Sequence, residues 1–211
     1  MFNIKNNFKI FIKLLIKQFF KELYLQKKFM KKLFLIICLL IVSNLFAQNK
    51  VELIIGKEII KPGSVLIFEG AIKDHVIPKS MHLSKNETNI HIEARVNWDT
   101  KNIRDGAVEN GFIPYLNINA KITNPKTGYS TFIDLVPHIN LIDNFHYARN
   151  ISLPGPIDDL YSVEFNVIPP TRIDMSFHND WLENYGNLLI DECSFKYENI
   201  NFKKVSEAER K

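Results

Sequence analysis

From about residue 50 onward, apolar and polar positions alternate in short runs with a period of two, the spacing of a strand with one buried face. The cleanest run is Asn89–Trp98, in which Ile90, Ile92, Ala94, Val96 and Trp98 fall on one face and His91 and Glu93 on the other. Similar runs predict strands over Lys50–Ile60, Ser64–Ile72, Phe112–Thr123, Tyr129–Val136, Phe145–Leu153, Tyr161–Val167 and Leu188–Phe202. Asn124-Pro125-Lys126-Thr127-Gly128 reads as a turn joining two of them into a hairpin, and Pro154-Gly155-Pro156 and Pro169-Pro170 close others. About eight short strands, with no long amphipathic helix after residue 47, predict an all-β fold. An immunoglobulin-like antiparallel β-sandwich is the natural class. Lys204–Lys211 is expected to fray as a charged tail.

The first 47 residues follow a different pattern. Met30-Lys31-Lys32 precedes an apolar run from Leu33 to Val42, and Ser43-Asn44-Leu45-Phe46-Ala47 follows it. A basic start, a short apolar stretch and a small residue describe a secretory signal peptide, here residues 30–47 with a cut after Ala47. The apolar run is shorter than the roughly 20 residues that span a bilayer, so no stable membrane insertion is expected after cleavage. Residues 1–29, rich in Lys, Phe and Ile, read as an upstream extension to a natural start at Met30. That leaves 48–211 as one domain in a periplasmic or secreted protein.

This division changes the meaning of the charge. The chain has a formal net charge of +4, but residues 1–47 hold nine of its 27 basic and one of its 23 acidic residues. Residues 48–211 are therefore at −4, and nothing in their charge argues for nucleic acid. A mildly acidic surface suits soluble cations better. Cys193 is the one cysteine left in the domain, so no internal disulfide forms; Asp191 and Glu192 beside it disfavour a reactive thiolate.

The candidate chemistry lies in the histidines. His91 and Glu93, about 7 Å apart along one strand face, can hold one cation between their tips. His138 and His146 stand at opposite ends of Pro137–Tyr147, read as a loop between two strands. Together the four make a three-imidazole, one-carboxylate set, suited to Fe, Cu or Zn rather than Ca or Mg. His75 and His82 read as exposed loop residues, with a weak second metal site as the alternative. The Gly-x-Ser-x-Gly elbow, the phosphate-binding glycine loop and the His-Glu-x-x-His helix are all missing.

His91-Ile92-Glu93-Ala94, Gly111-Phe112-Ile113-Pro114-Tyr115-Leu116, the Pro137–Tyr147 segment and Pro169-Pro170 occur in an order that resembles a known family. It is the periplasmic ferrous-iron-transport accessory family of bacteria, and the resemblance covers about residues 64–203. It implies a dimeric, immunoglobulin-like binder of iron and copper that works beside an inner-membrane iron permease. By position it assigns metal ligation to His91, Glu93 and His146. Where the family usually carries a methionine, this chain has His138, which removes the thioether best matched to Cu(I). Asp143 becomes a candidate supporting or neighbouring carboxylate, and His178 a candidate for reaching a partner subunit's site.

The expectation is thus a non-enzymatic metal binder for Fe2+ or Cu2+, with Zn2+ as a substitute, acting in iron uptake as a homodimer. A metal-dependent enzyme using the same His/Glu site, and a secreted β-sandwich interaction module, are the alternatives.

Overall fold

The computed structural model describes residues 4–45, 51–61, 63–171 and 173–209. The chain divides into two units, Met1–Lys50 and Val51–Lys211. The first carries one helix, α1 (Ile4–Leu45). The expected cut after Ala47 lies outside the described residues. Among the described residues no helix is long and apolar enough to cross a membrane.

The second unit is built of eight strands, as the alternation predicts. They are β1 (Leu53–Ile60), β2 (Ser64–Ala71), β3 (Ile90–Trp98), β4 (Asn117–Thr123), β5 (Ser130–Asn140), β6 (Asn144–Ile151), β7 (Leu160–Ile168) and β8 (Cys193–Asn201). Every pairing is antiparallel, in the order β1-β2-β3-β6-β5-β4-β7-β8. β5 is the strand on which the sheet folds over. Its first half, Ser130–Leu135, pairs with β4, and its second half, Val136–Asn140, pairs with β6. One hydrogen-bonded sheet thereby becomes the two layers of a sandwich, and apolar side chains fill the space between them. Phe68 of β2 stacks on Phe165 of β7, with ring centroids 4.1 Å apart. Ile90, Ile92, Ala94 and Val96 are fully buried in this core, as their alternation requires. The free edges meet at the far side, where the Tyr197 hydroxyl donates to Glu58 at 2.9 Å. Gly56 is required there, since a Cβ would meet the Tyr197 ring at 2.1 Å.

Three details depart from the sequence reading. β4 begins at Asn117 rather than Phe112, because Tyr115 takes a positive φ of 63° after Pro114 and interrupts the extended run. β5 continues past Val136 to Asn140, so most of the expected Pro137–Tyr147 loop is strand and only residues 141–143 turn. Pro137 is tolerated there because that half of β5 has already left β4 and forms an edge, where a missing N–H costs least. At the end of the domain, Lys203–Ser206 forms a short helix, α3, in place of a frayed tail. Phe202 and Val205 anchor it in the core, apolar anchors that the charged residues around them hide.

Candidate metal centre

β3 carries the first two side chains. His91 and Glu93 are two positions apart and so share a face, as expected. That face is not solvated, however: His91 is 3 % and Glu93 1 % exposed. The loop between β2 and β3 lies across it. Two of its carbonyls, those of Asp74 and Leu83, accept hydrogen bonds at 3.0 Å from the Asn150 amide of β6. Alternation says which residues share a face but not what later covers it. The side chains also lean together, bringing His91 Nε2 to 3.8 Å from Glu93 Oε1.

The β5–β6 hairpin supplies the other two. His138 and His146 are direct cross-strand partners rather than the two lips of a loop. β6 also pairs with β3, with His91 opposite Asn150 and Glu93 opposite Ala148. Three adjacent strands therefore bring all four residues to one place. The His138 ring centroid lies 5.2 Å from that of His91 and 5.8 Å from that of His146. His91, Glu93 and His146 are the tightest group, each offering a ligand atom within 4.8 Å of the others. Two ligands at a tetrahedral angle on one ion are about 3.3 Å apart at metal–ligand lengths of about 2.0–2.1 Å. A divalent ion would thus draw the three in by about 1.5 Å at most.

The hydrogen bonds fix which nitrogen each ring presents. Asn150 donates both amide hydrogens to the loop, so its Oδ1, 2.7 Å from His91 Nδ1, must accept. His138 Nδ1 donates to the Val136 carbonyl at 2.8 Å, and His146 Nδ1 to the Asn144 carbonyl at 3.0 Å. All three rings therefore carry the proton on Nδ1 and keep the Nε2 lone pair. Metal-binding histidines are commonly oriented by such a bond from the second nitrogen. The His138 Nε2 is buried without a hydrogen-bond partner among the described residues. Imidazole and carboxylate donors, with no thioether among the four, fit a borderline divalent ion.

Asp143 stands outside the tight group. It closes the hairpin turn by accepting from Asn140 Nδ2 at 3.0 Å, and one of its oxygens is 3.9 Å from Arg95 Nη1. Arg95 in turn bonds the buried Glu69 at 2.6 Å, and Glu69 is the β2 neighbour of Glu93. Asp143 thus connects to the centre through two intervening side chains. His178 is exposed at the start of a short helix, α2 (Asn179–Tyr185), and His75 is exposed in the β2–β3 loop; neither joins the cluster. Cys193 is partly buried, and its thiol is pushed up to about 11 by burial, then by Asp191 and Glu192, so it is no nucleophile.

Two residues that border the site were not legible in sequence. Asn150 holds His91, but its only local signal is its place four residues after His146, on the same strand face. His82, read as an exposed loop residue, is partly buried with its ring 5.0 Å from that of His138.

Burial, then the neighbouring His138 and Arg149, lowers the pKa of His82 below the ordinary 6.5. Burial is also the main cause of lowering at His138, with His146 and Arg149 adding to it. In the unfolded chain both rings take up protons near 6.5, before they do so in the fold. Metal-free stability is therefore full above that value and falls as the pH drops below it, by at most about 1.4 kcal/mol per pH unit for each proton. Urea unfolding between pH 7.5 and 5.5 should show this loss, with a shallower slope in His138→Gln. Equal slopes would remove His138 from the explanation.

A sequence model of the family described as Fe2+ transport protein matches residues 49–203. Among solved structures, a copper-bound variant of FetP from uropathogenic Escherichia coli strain F11 is 22 % identical, with a TM-score of 0.58. That match covers 70 % of this chain and 95 % of the other. A copper-bound variant of P19 from Campylobacter jejuni is also 22 % identical, covering 70 % and 96 % with a TM-score of 0.59. None of the curated proteins matches the chain. At these identities the likeness to FetP and P19 is one of fold.

Proposed function

The chain belongs to the Fe2+ transport protein family, the one its motifs resemble, and on that premise we propose that it is a non-enzymatic carrier of a divalent transition metal in iron uptake. In this reading residues 30–47 are a cleaved signal, 1–29 lie upstream of the natural start, and 48–211 act in the periplasm. The domain holds Fe2+ at His91, Glu93 and His146, with His138 beside them, and passes it to an inner-membrane iron permease.

One observation carries the reading: three buried ligand groups from two strands converge, and each ring keeps its Nε2 lone pair for the ion. Glu93 adds a carboxylate to the two imidazoles of this group, a negative charge that a divalent ion bound there would offset. The donor types fit Cu2+ and Zn2+ as well as Fe2+. Copper bound in the solved FetP and P19 structures supports testing Cu2+ alongside iron. Apolar Ile139, Leu141 and Ile142 are exposed around the tip of the β5–β6 hairpin, which supports a homodimer.

The test is a titration with Fe2+ (under anaerobic conditions), Cu2+ and Zn2+, read by calorimetry and melting temperature. An ion bound only by the folded state, at a hundred times its Kd, adds about 2.7 kcal/mol. For a domain of this size that raises Tm by about 5–10 °C. A Tm unmoved by all three ions would refute the assignment.

A further inference from the structure

The His91–Glu93–His146 group is buried, so an ion needs a way in, and the neighbouring side chains supply one. His82 lies on the β2–β3 loop, in the wall of a surface groove of about 400 Å³ that it shares with Met81, Arg149 and Asn150. Its ring faces His138 edge-on at 5.0 Å between centroids, with planes at 72°. Two imidazoles sharing one ion at a tetrahedral angle, with metal–nitrogen lengths of about 2.0–2.1 Å, have centroids about 5 Å apart. His82 Nδ1 and His138 Nε2 are both buried and without a hydrogen-bond partner among the described residues. A pair of buried nitrogens left unmatched needs an explanation, and a shared ion supplies one. On its other side His138 lies 5.2 Å from His91, at a similar angle of 74°. It therefore neighbours both His82 in the groove wall and His91 of the centre.

We propose that His82 and His138 form an outer metal position at the mouth of the site, where a divalent ion is held before passing to His91, Glu93 and His146. This rests on the carrier reading above and adds a route to it. With two protein ligands and no carboxylate, the outer position is the weaker one, its remaining ligands being water. Arg149 makes it weaker still: its charge acts on both rings and repels a resident cation. A weak, wet position next to a strong, buried one favours transfer inward. The loop that bears His82 is held in place, since the carbonyl of the next residue, Leu83, is bonded by the same Asn150 that orients His91.

The experiment compares the native protein with His82→Ala and His82→Asn, using Cu2+ for stoichiometry and Zn2+ for rates. With Cu2+ in excess, electron paramagnetic resonance of the native protein should show a strong first signal and a distinct, weaker second one. Both variants should keep the first and lose the second. In stopped-flow mixing with Zn2+, loading of the centre should slow by about tenfold in the variants, a barrier raised by about 1.4 kcal/mol, while its equilibrium affinity, set by ligands the variants keep, stays within about twofold. A second Cu2+ signal that survives in the variants, or native loading rates, would overturn the outer position. A native protein that binds neither ion would instead overturn the centre itself, and the outer position with it.

Discussion

The His91→Ala, Glu93→Ala double variant is expected to bind Fe2+, Cu2+ and Zn2+ at least 10³-fold more weakly than the native protein, by about 4 kcal/mol or more. The magnitude follows from ligand number. Four-ligand structural zinc sites are worth about 10–16 kcal/mol, or about 3 kcal/mol for each ligand. The double variant removes two ligands of the tight group of three and leaves His146 and His138, a pair no better than ordinary surface imidazoles. Calorimetric titration of both proteins measures the difference. Glu93→Gln serves as the companion, since it keeps the size of the side chain and its capacity for hydrogen bonds while removing the charge. It should still fold and still lose most of the affinity. Equal binding by native protein and double variant would mean that the ions sit elsewhere.

The second large effect belongs to Asn150, which touches no ion in this reading. Asn150→Ala removes three hydrogen bonds at once: the one that orients His91 at 2.7 Å and the two that tie the Asp74 and Leu83 carbonyls. Leaving a buried polar group unmatched costs about 1–3 kcal/mol. With partial rescue by water, a total loss of about 2–4 kcal/mol is expected in urea unfolding. Metal affinity should fall by about 10–100-fold, the usual effect of losing a partner that orients a ligand. Asn150→Asp separates the two roles. It retains an acceptor for His91 Nδ1 but sets a carboxylate against two carbonyls, so it should lose stability without losing as much affinity. If Asn150→Ala bound metal like the native protein, the orientation of His91 would be governed by something else.

What the sequence alone determined follows from local geometry. Successive strand residues point to opposite faces, so the pattern of Asn89–Trp98 was enough to bury Ile90, Ile92, Ala94 and Val96 and to place His91 and Glu93 on one side. Repeated along the chain, the same rule gave eight strands and the sandwich class, and the order of the short motifs gave the family. Local pattern failed where the chain departs from extended backbone, as at Tyr115, and where a few apolar anchors fix a charged tail, as Phe202 and Val205 do.

The rest was decided by tertiary structure, because it depends on contacts between segments far apart in the chain. Which residue stands opposite which is set by the packing of whole strands, and no local signal sets His138 against His146 or His91 against Asn150. The same holds for the cover. The β2–β3 loop reads as a polar, exposed connection, yet Asn150 draws it across β3, which buries His91 and Glu93 and brings His82 to His138. Alternation chose the face; the register between strands and the loop folded over them made that face a site.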